Sequence, residues 1–244
     1  MHRFIVKGNY ETGTVVELPE EETKHALKVL RLEEGEEVEL SDGCGALYAG
    51  VLTEVGKNTA SVKVGERLQS SEAPISLTLY MGFPKAEKLE LIVQKLTELG
   101  AVRIVPVLMK RSVVKLDEKD AAKKRERYER IALEAAKQSG RAALPVVETP
   151  IVWKQAVKRF PEHELLLVPY EGADRLHLSQ LHEKYPQAKD IAYLIGPEGG
   201  IDESETEELE KNGGILLTLG KRILRTETAA IATAAIIMAM WGDV

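Results

Sequence analysis

Two short passages in this 244-residue chain have the residue types and spacing of a ligand site. The first, "LIGPEGGIDESE" (Leu194–Glu205), reads as a strand that runs into a glycine-rich turn and then a helix. Gly196, Gly199 and Gly200 let a ligand approach the backbone closely, and Pro197 stiffens the turn. Turns of this kind usually receive nucleotide phosphates, because the free N–H groups and the positive end of the helix attract anions. Here, however, the turn carries Glu198, Asp202, Glu203 and Glu205. Asp202 is placed to cap the helix, and Glu203 and Glu205 fall in its first turn, so carboxylates already occupy the field a phosphate would need. Neither a G-x-G-x-x-G fingerprint nor a Walker lysine is present. The chemistry that suits this turn is an adenosine ligand with no phosphate and a positive centre. S-adenosylmethionine has that character.

The second passage, "LTLGKRILRTETAAIA" (Leu217–Ala232), repeats the strand–glycine–loop–helix pattern about twenty residues later. Leu219, Ile223 and Leu224 are apolar positions in a loop that also holds Lys221, Arg222 and Arg225, and Thr226 is expected to cap the final helix. Two glycine loops at the carboxyl ends of strands would make one crevice, where open α/β sheets bind their ligands.

The elements that must hold these loops are legible from periodicity. The first seventy residues are mostly short β-branched runs separated by Gly, Asp and Asn: "RFIVK", "GTVVEL", "EEVELSDG", "GALYAGVLTEV" and "TASVKVGE". One helical insert lies near Glu20–Leu30. Five such strands predict a small barrel. "QSSEAP" (Gln69–Pro74) is the linker candidate, dividing the chain into residues 1–70 and 74–244. Beyond it, strands alternate with helices. "ISLTLYMGF", "VRIVPVLM", "PVVETP", "ELLLVPY", "DIAYLIG" and "GILLTLG" are the strands. A helix over Lys85–Leu99 should be closed by Gly100, and a long helix should cover Glu118–Gln138. The pattern predicts an α/β domain with a largely parallel sheet.

Composition narrows the function classes. The apolar run Ala229–Trp241 is too short to span a bilayer, and "MHRFIVKGNY" lacks the apolar core of a signal peptide. Cys44 is the single cysteine, and the five histidines show no zinc-ligand spacing, so neither disulfides nor a metal are expected. A cytoplasmic protein is the expectation. The net charge of −6 is unevenly spread: residues 1–73 carry 8 basic and 14 acidic side chains, residues 74–141 carry 15 and 9, and residues 142–244 carry 10 and 16. The basic middle holds "MKRSVVK" (Met109–Lys115), "KKRERYER" (Lys123–Arg130) and "KQSGR" (Lys137–Arg141). A solvated helix face explains KKRERYER equally well, but a local positive surface suffices for nucleic acid.

"LIGPEGGIDESE" with "LGKRILRTETAAIAT" resembles the signature of the 16S ribosomal RNA uracil-N3 methyltransferases, the RsmE family of the SPOUT superfamily. The resemblance extends over nearly the whole chain, through "MHRFIV", "HALKVLRLEEGEEVELSDG", "KAEKLELIVQKLTELGAVRIVPV" and "EAAKQSGRAALPVV". It implies a PUA-like β-barrel that positions RNA, followed by a SPOUT-type α/β domain whose C-terminal segment forms a trefoil knot. It also implies a homodimer with the active site near the subunit interface, and S-adenosylmethionine as cofactor. Its RNA partner would be the 16S ribosomal RNA of the small ribosomal subunit. Ile195, Gly196, Pro197, Glu198 and Gly199, with Leu219, Gly220, Arg222, Ile223 and Leu224, would then line the cofactor pocket, and Val168–Glu171 would close its adenine side.

The reaction needs the N3 proton removed and the resulting uracil anion stabilised. Glu198, ahead of Glu98, is the candidate base, with Arg111 and Arg225 as the candidate cations. Arg3, Lys28, Arg31, Arg111, Gln138 and Arg141 are the candidate RNA contacts. Two alternatives stay open: a non-catalytic RNA-binding or ribosome-assembly factor, and a SPOUT methyltransferase acting on another RNA site. A nicotinamide-dependent oxidoreductase is disfavoured by the missing fingerprint.

Overall fold

The computed structural model describes residues 1–112, 118–171 and 176–244, so the end of the basic run Met109–Lys115 lies outside the described residues. The chain divides into two compact units. The first is Met1–Glu72 together with Ala136–Leu144, and the second is Ala73–Ala135 together with Pro145–Val244.

The first unit contains β1 (His2–Ile5), β2 (Val15–Glu17), α1 (Glu20–Lys24), β3 (Glu37–Ser41), β4 (Leu47–Thr53) and β5 (Ser61–Leu68). They form one five-stranded sheet in the order β1-β3-β4-β5-β2, parallel between β1 and β3 and antiparallel elsewhere. Alternation decides which residues enter the core: in β3, Val38 and Leu40 are fully buried while Glu37 is exposed and Glu39 half-buried. The helical insert is present, but its second half, His25–Leu30, is a π-helical turn that ends at Arg31 in the left-handed region, φ 56°. A β-carbon in that region costs about 1 kcal/mol, so packing around Ala26 and Leu32 holds it there.

The second unit contains β6 (Ser76–Gly82), α2 (Ala86–Glu98), β7 (Arg103–Leu108), β8 (Val146–Val147), β9 (Ile151–Val152), α4 (Trp153–Arg159), β10 (Leu165–Pro169), α5 (Leu178–Lys184), β11 (Asp190–Ile195), α6 (Glu203–Lys211), β12 (Gly214–Leu217) and α7 (Thr226–Trp241). Between β7 and β8 runs α3 (Glu118–Ser139), whose last turn groups with the first unit. The sheet is parallel, in the order β12-β10-β11-β6-β7-β8, with β9 also pairing β7. "PVVETP" is therefore two short edge pieces rather than one strand. Thr149 and Pro150 lie between them, and proline cannot donate to a ladder.

Both faces of this sheet are covered, so its strands are mostly apolar. Leu77, Leu79 and Met81 of β6 face α2, α5 and α7, while Tyr80 faces the other way toward Ala156, Phe160 and Leu209. Gly100, at φ 90°, closes α2: its N–H donates to Thr97 O (3.2 Å), and the N–H of Ala101 donates to Leu96 O (2.9 Å). That pair of bonds is the Schellman arrangement. The final helix α7 has no polar face. It packs against α2, α5, β6 and β11, and its Ala230 carbonyl accepts a hydrogen bond from the buried Tyr193 hydroxyl at 2.9 Å. Among the described residues no helix is long and apolar enough to cross a membrane.

Candidate active site

The two glycine loops leave the carboxyl ends of β11 and β12, and β10 stands between those strands. The chain moves outward in one direction through β6, β7 and β8, and then places β11, β10 and β12 on the other side of β6. The first glycine turn thus begins at the point where strand order reverses, the usual ligand crevice of an open sheet. The segment after β10 follows Pro169, and the Tyr170 amide donates to Leu217 O at 2.9 Å.

Close backbone approach explains the glycines here. A β-carbon on Gly82, the last residue of β6, would lie 2.5 Å from the Cδ and N of Pro197. One on Gly196 would lie 2.8 Å from Ile201, and one on Gly199 would lie 3.0 Å from the Cβ of Arg111. Gly200, at φ 74°, needs glycine for its conformation as well.

The loops are tied to one another. The Thr226 hydroxyl donates to the Gly196 carbonyl at 2.6 Å. Thr226 was expected as the cap of α7, but Arg225 occupies the N-cap position without a side-chain bond, and Thr226 is the first helical residue. Its hydroxyl is drawn instead to the turn after β11. Asp202 does cap α6: its Oδ1 accepts from the Ser204 amide (3.3 Å), and Glu205 Oε2 accepts from the Asp202 amide (3.2 Å). This reciprocal box satisfies two N–H groups that a phosphate would otherwise take.

The acidic appearance of the turn is partly offset by cations remote in sequence. Lys88, in the first turn of α2, lies 3.2 Å from Glu198 Oε1 and 3.2 Å from Glu227 Oε2. The Lys85 amide also donates to Glu198 (3.3 Å). Burial alone would push the Glu198 carboxyl up, but its own and the Lys85 backbone amides, with Lys88, outweigh that and lower it. The segment after β7 closes the other side. The Lys110 amide donates to Glu205 Oε1 (2.8 Å), and its ammonium lies 3.3 Å from Asp202 and bonds Ser204. Arg111 donates to the Gly199 carbonyl (3.2 Å) and pairs with Asp202 (3.4 Å). Ser204 first, then Lys110, hold Asp202 down at about 2.

The sequence-derived residues therefore separate into groups. Ile195 ends β11, Gly196, Pro197, Glu198 and Gly199 form the turn that follows, and Arg111 lies against it. Leu219 and Leu224 are half-buried in the second loop, whereas Gly220, Arg222 and Ile223 are exposed, Ile223 to 79%. Arg225 is exposed at the head of α7. Glu98 belongs elsewhere: it pairs with Lys95 at the far end of α2 (2.9 Å), about 15 Å along the helix from Lys88 at 1.5 Å per residue.

Of the RNA candidates, Lys28 and Arg31 are exposed on the π-helical turn, and Gln138 is exposed on α3. Arg141 is not available as a surface cation: it is buried, and its guanidinium donates to Glu72 Oε2 at 2.6 and 3.2 Å. Glu72 Oε1 also accepts from the amides of Ala142 and Ala143 (2.8 and 2.9 Å). Arg3 is likewise engaged, with Glu39 (2.7 Å) and the Gly140 carbonyl. Sequence reasoning missed Lys88, Glu227 and Gly82. The clue to Lys88 was its place in "KAEKLE", just after β6, which no local pattern connects to Glu198.

Residues 71–238 match the RNA methyltransferase domain family, and residues 18–65 match the RNA methyltransferase PUA domain. Ribosomal RNA small subunit methyltransferase E of Bacillus subtilis is 36% identical over 239 residues, covering 95% of this chain and 93% of its own. The chain belongs to the RsmE family. Among solved members, that from Neisseria gonorrhoeae, bound to S-adenosyl methionine, matches with a TM-score of 0.87 at 33% identity and covers 100% of this chain and 99% of its own. A methyltransferase from Legionella pneumophila, in complex with the same cofactor, matches with a TM-score of 0.84 at 33% identity, over 99% of this chain and 98% of its own. The first unit is thus PUA-like, and the second carries the methyltransferase domain of the family.

Proposed function

We propose that this protein is an S-adenosylmethionine-dependent methyltransferase acting on N3 of one uridine in the 16S ribosomal RNA of the small subunit. The observation that carries the reading is the pair of glycine loops joined at the strand-reversal point by the Thr226–Gly196 bond. Their fit to this cofactor rests on three features. The glycines let the turn pack closely on Gly82 and Arg111, the α6 terminus is already capped against phosphate, and Lys88, Lys110 and Arg111 offset part of the turn's negative charge. When bound, the cofactor supplies an electrophilic methyl group on its sulfonium.

The chain's own residues do the remaining work. Ile195–Gly199 and Leu219–Leu224 hold and orient the cofactor, chiefly through backbone groups. Arg111 and Arg225 are the cations we assign to stabilise charge developing on the uracil carbonyl oxygens. Glu198 is engaged by Lys88 and the Lys85 amide, and its lowered pKa makes it a weak proton acceptor. We therefore give it an orienting role, with the N3 proton leaving to water. Glu198→Gln should then weaken cofactor binding more than it lowers kcat. A collapse of kcat at unchanged affinity would return Glu198 to the role of base.

Lys28 and Arg31 on the PUA-like unit and Gln138 contact the RNA. The C-terminal segment, which leaves the edge strand β12 and returns beneath β11 and β6, is compatible with the trefoil knot of the family. The half-buried Ala229, Ile231, Ala232, Ala235, Ile236 and Met240 give α7 an apolar outer face suited to a homodimer in the cytoplasm. The deciding experiment incubates the protein with radiolabelled S-adenosylmethionine and small subunits from cells lacking it, with naked ribosomal RNA in parallel. N3-methyluridine identified by mass supports the reading. Cofactor binding without transfer to either substrate overturns the assigned target.

A further inference from the structure

Three segments distant in sequence meet at one ammonium. Lys88 belongs to α2, Glu198 to the turn after β11, and Glu227 to the start of α7, just past the second glycine loop. The three side chains are 28%, 26% and 15% exposed, so solvent screens the group only in part. Both carboxylates lie 3.2 Å from the same Nζ, which places the two oxygens no more than about 6.4 Å apart, where unscreened like charges repel. The only other link described between the turn and the head of α7 is the Thr226 hydroxyl on the Gly196 carbonyl. We propose that Lys88 is a positioning residue that sets the spacing of the two cofactor loops, by neutralising one carboxylate on the first turn and one at the head of α7, where the second loop ends.

This rests on the reading that the loops hold S-adenosylmethionine, but it makes its own prediction for the protein without cofactor. Isolated surface ion pairs contribute little. The distinctive feature here is that losing Lys88 turns two attractions into one repulsion between the loops. Lys88→Met should therefore do more harm than removing a carboxylate along with it.

The test compares the full-length protein with Lys88→Met, Lys88→Arg and Lys88→Met/Glu227→Gln. Amide hydrogen exchange is followed without cofactor, and S-adenosylmethionine affinity is measured by calorimetry. In Lys88→Met, the amides of Glu198–Gly200 and Gly220–Thr226 should exchange faster together, and affinity should fall about tenfold, the equivalent of about 1.4 kcal/mol. Lys88→Arg should keep most of the affinity, and the double variant should recover part of it. Exchange that rises in one loop alone or in neither, or a double variant worse than Lys88→Met, would overturn the proposal. Faster exchange in both loops of a protein that binds no S-adenosylmethionine would uphold the latch and overturn the cofactor assignment.

Discussion

Replacing Gly82 by alanine gives the sharpest test of how the site is built. The added methyl would stand 2.5 Å from both the ring Cδ and the backbone N of Pro197, and 2.9 Å from the carbonyl carbon of Gly196. Carbon atoms pack at about 3.5–4.0 Å, so something must move by about 1 Å. The sheet resists, because β6 is hydrogen-bonded to β11 on one side and β7 on the other. A proline ring has no rotamer through which to swing away, so the displacement falls on the turn Gly196–Gly200.

Overpacking of this kind costs about 1–3 kcal/mol. At about 2–4 °C per kcal/mol for a chain of this size, the folded protein should survive with a modestly lower Tm. Function should suffer far more, since a 1 Å misplacement can cost about 100-fold. The assays are calorimetric titration with S-adenosylmethionine and methyl transfer to small subunits, each beside a thermal scan. Gly213→Ala is the comparison: at φ 86° it strains the backbone, but its β-carbon would meet nothing within 4 Å. It should lose stability while keeping cofactor affinity. Gly82→Ala with affinity and turnover within about twofold of the parent would refute the argument that close approach at this position shapes the site.

Other outcomes follow from the same contacts. Glu72→Ala should destabilise the first unit by about 3 kcal/mol, because it strands the buried Arg141 guanidinium and two backbone amides; a loss of unfolding free energy in urea below about 1 kcal/mol would show the pair is dispensable. Charge reversal at Lys28 or Arg31 should weaken RNA binding and reduce the salt slope by about one unit, and an unchanged slope would remove the π-helical turn from the RNA surface. Asp202 has its folded pKa lowered from 3.8 to about 2, so its contribution to stability is complete above 3.8 and is lost as pH falls through about 2. In an NMR titration, Ser204→Ala should raise the Asp202 midpoint more than Lys110→Met does, matching the order of the causes; no movement in either would contradict the capping geometry.

Much of this architecture is written in local sequence. The five β-runs of the first seventy residues, the Asp202–Glu205 box and the Gly100 closure of α2 depend on neighbours within a few positions, so pattern and capping rules find them. The two glycine turns were legible for the same reason, and with them the class of ligand. The edge strand "PVVETP" was read too simply, because its break depends on how β7 presents two separate pairing sites.

The sequence determined the order of elements, the caps, the glycine turns and the family signature, all of which rest on interactions between residues close along the chain. Tertiary structure alone decided which charges remain free. The Lys110 ammonium meets Asp202 across 92 positions, the Arg111 guanidinium meets it across 91, and Arg141 meets Glu72 across 69. A turn that reads as strongly acidic in one dimension is thereby partly neutralised in three, and an arginine that reads as a phosphate ligand is buried against a carboxylate. Charge is long-ranged and blind to chain order, so its balance at a site belongs to the fold that brings distant side chains together.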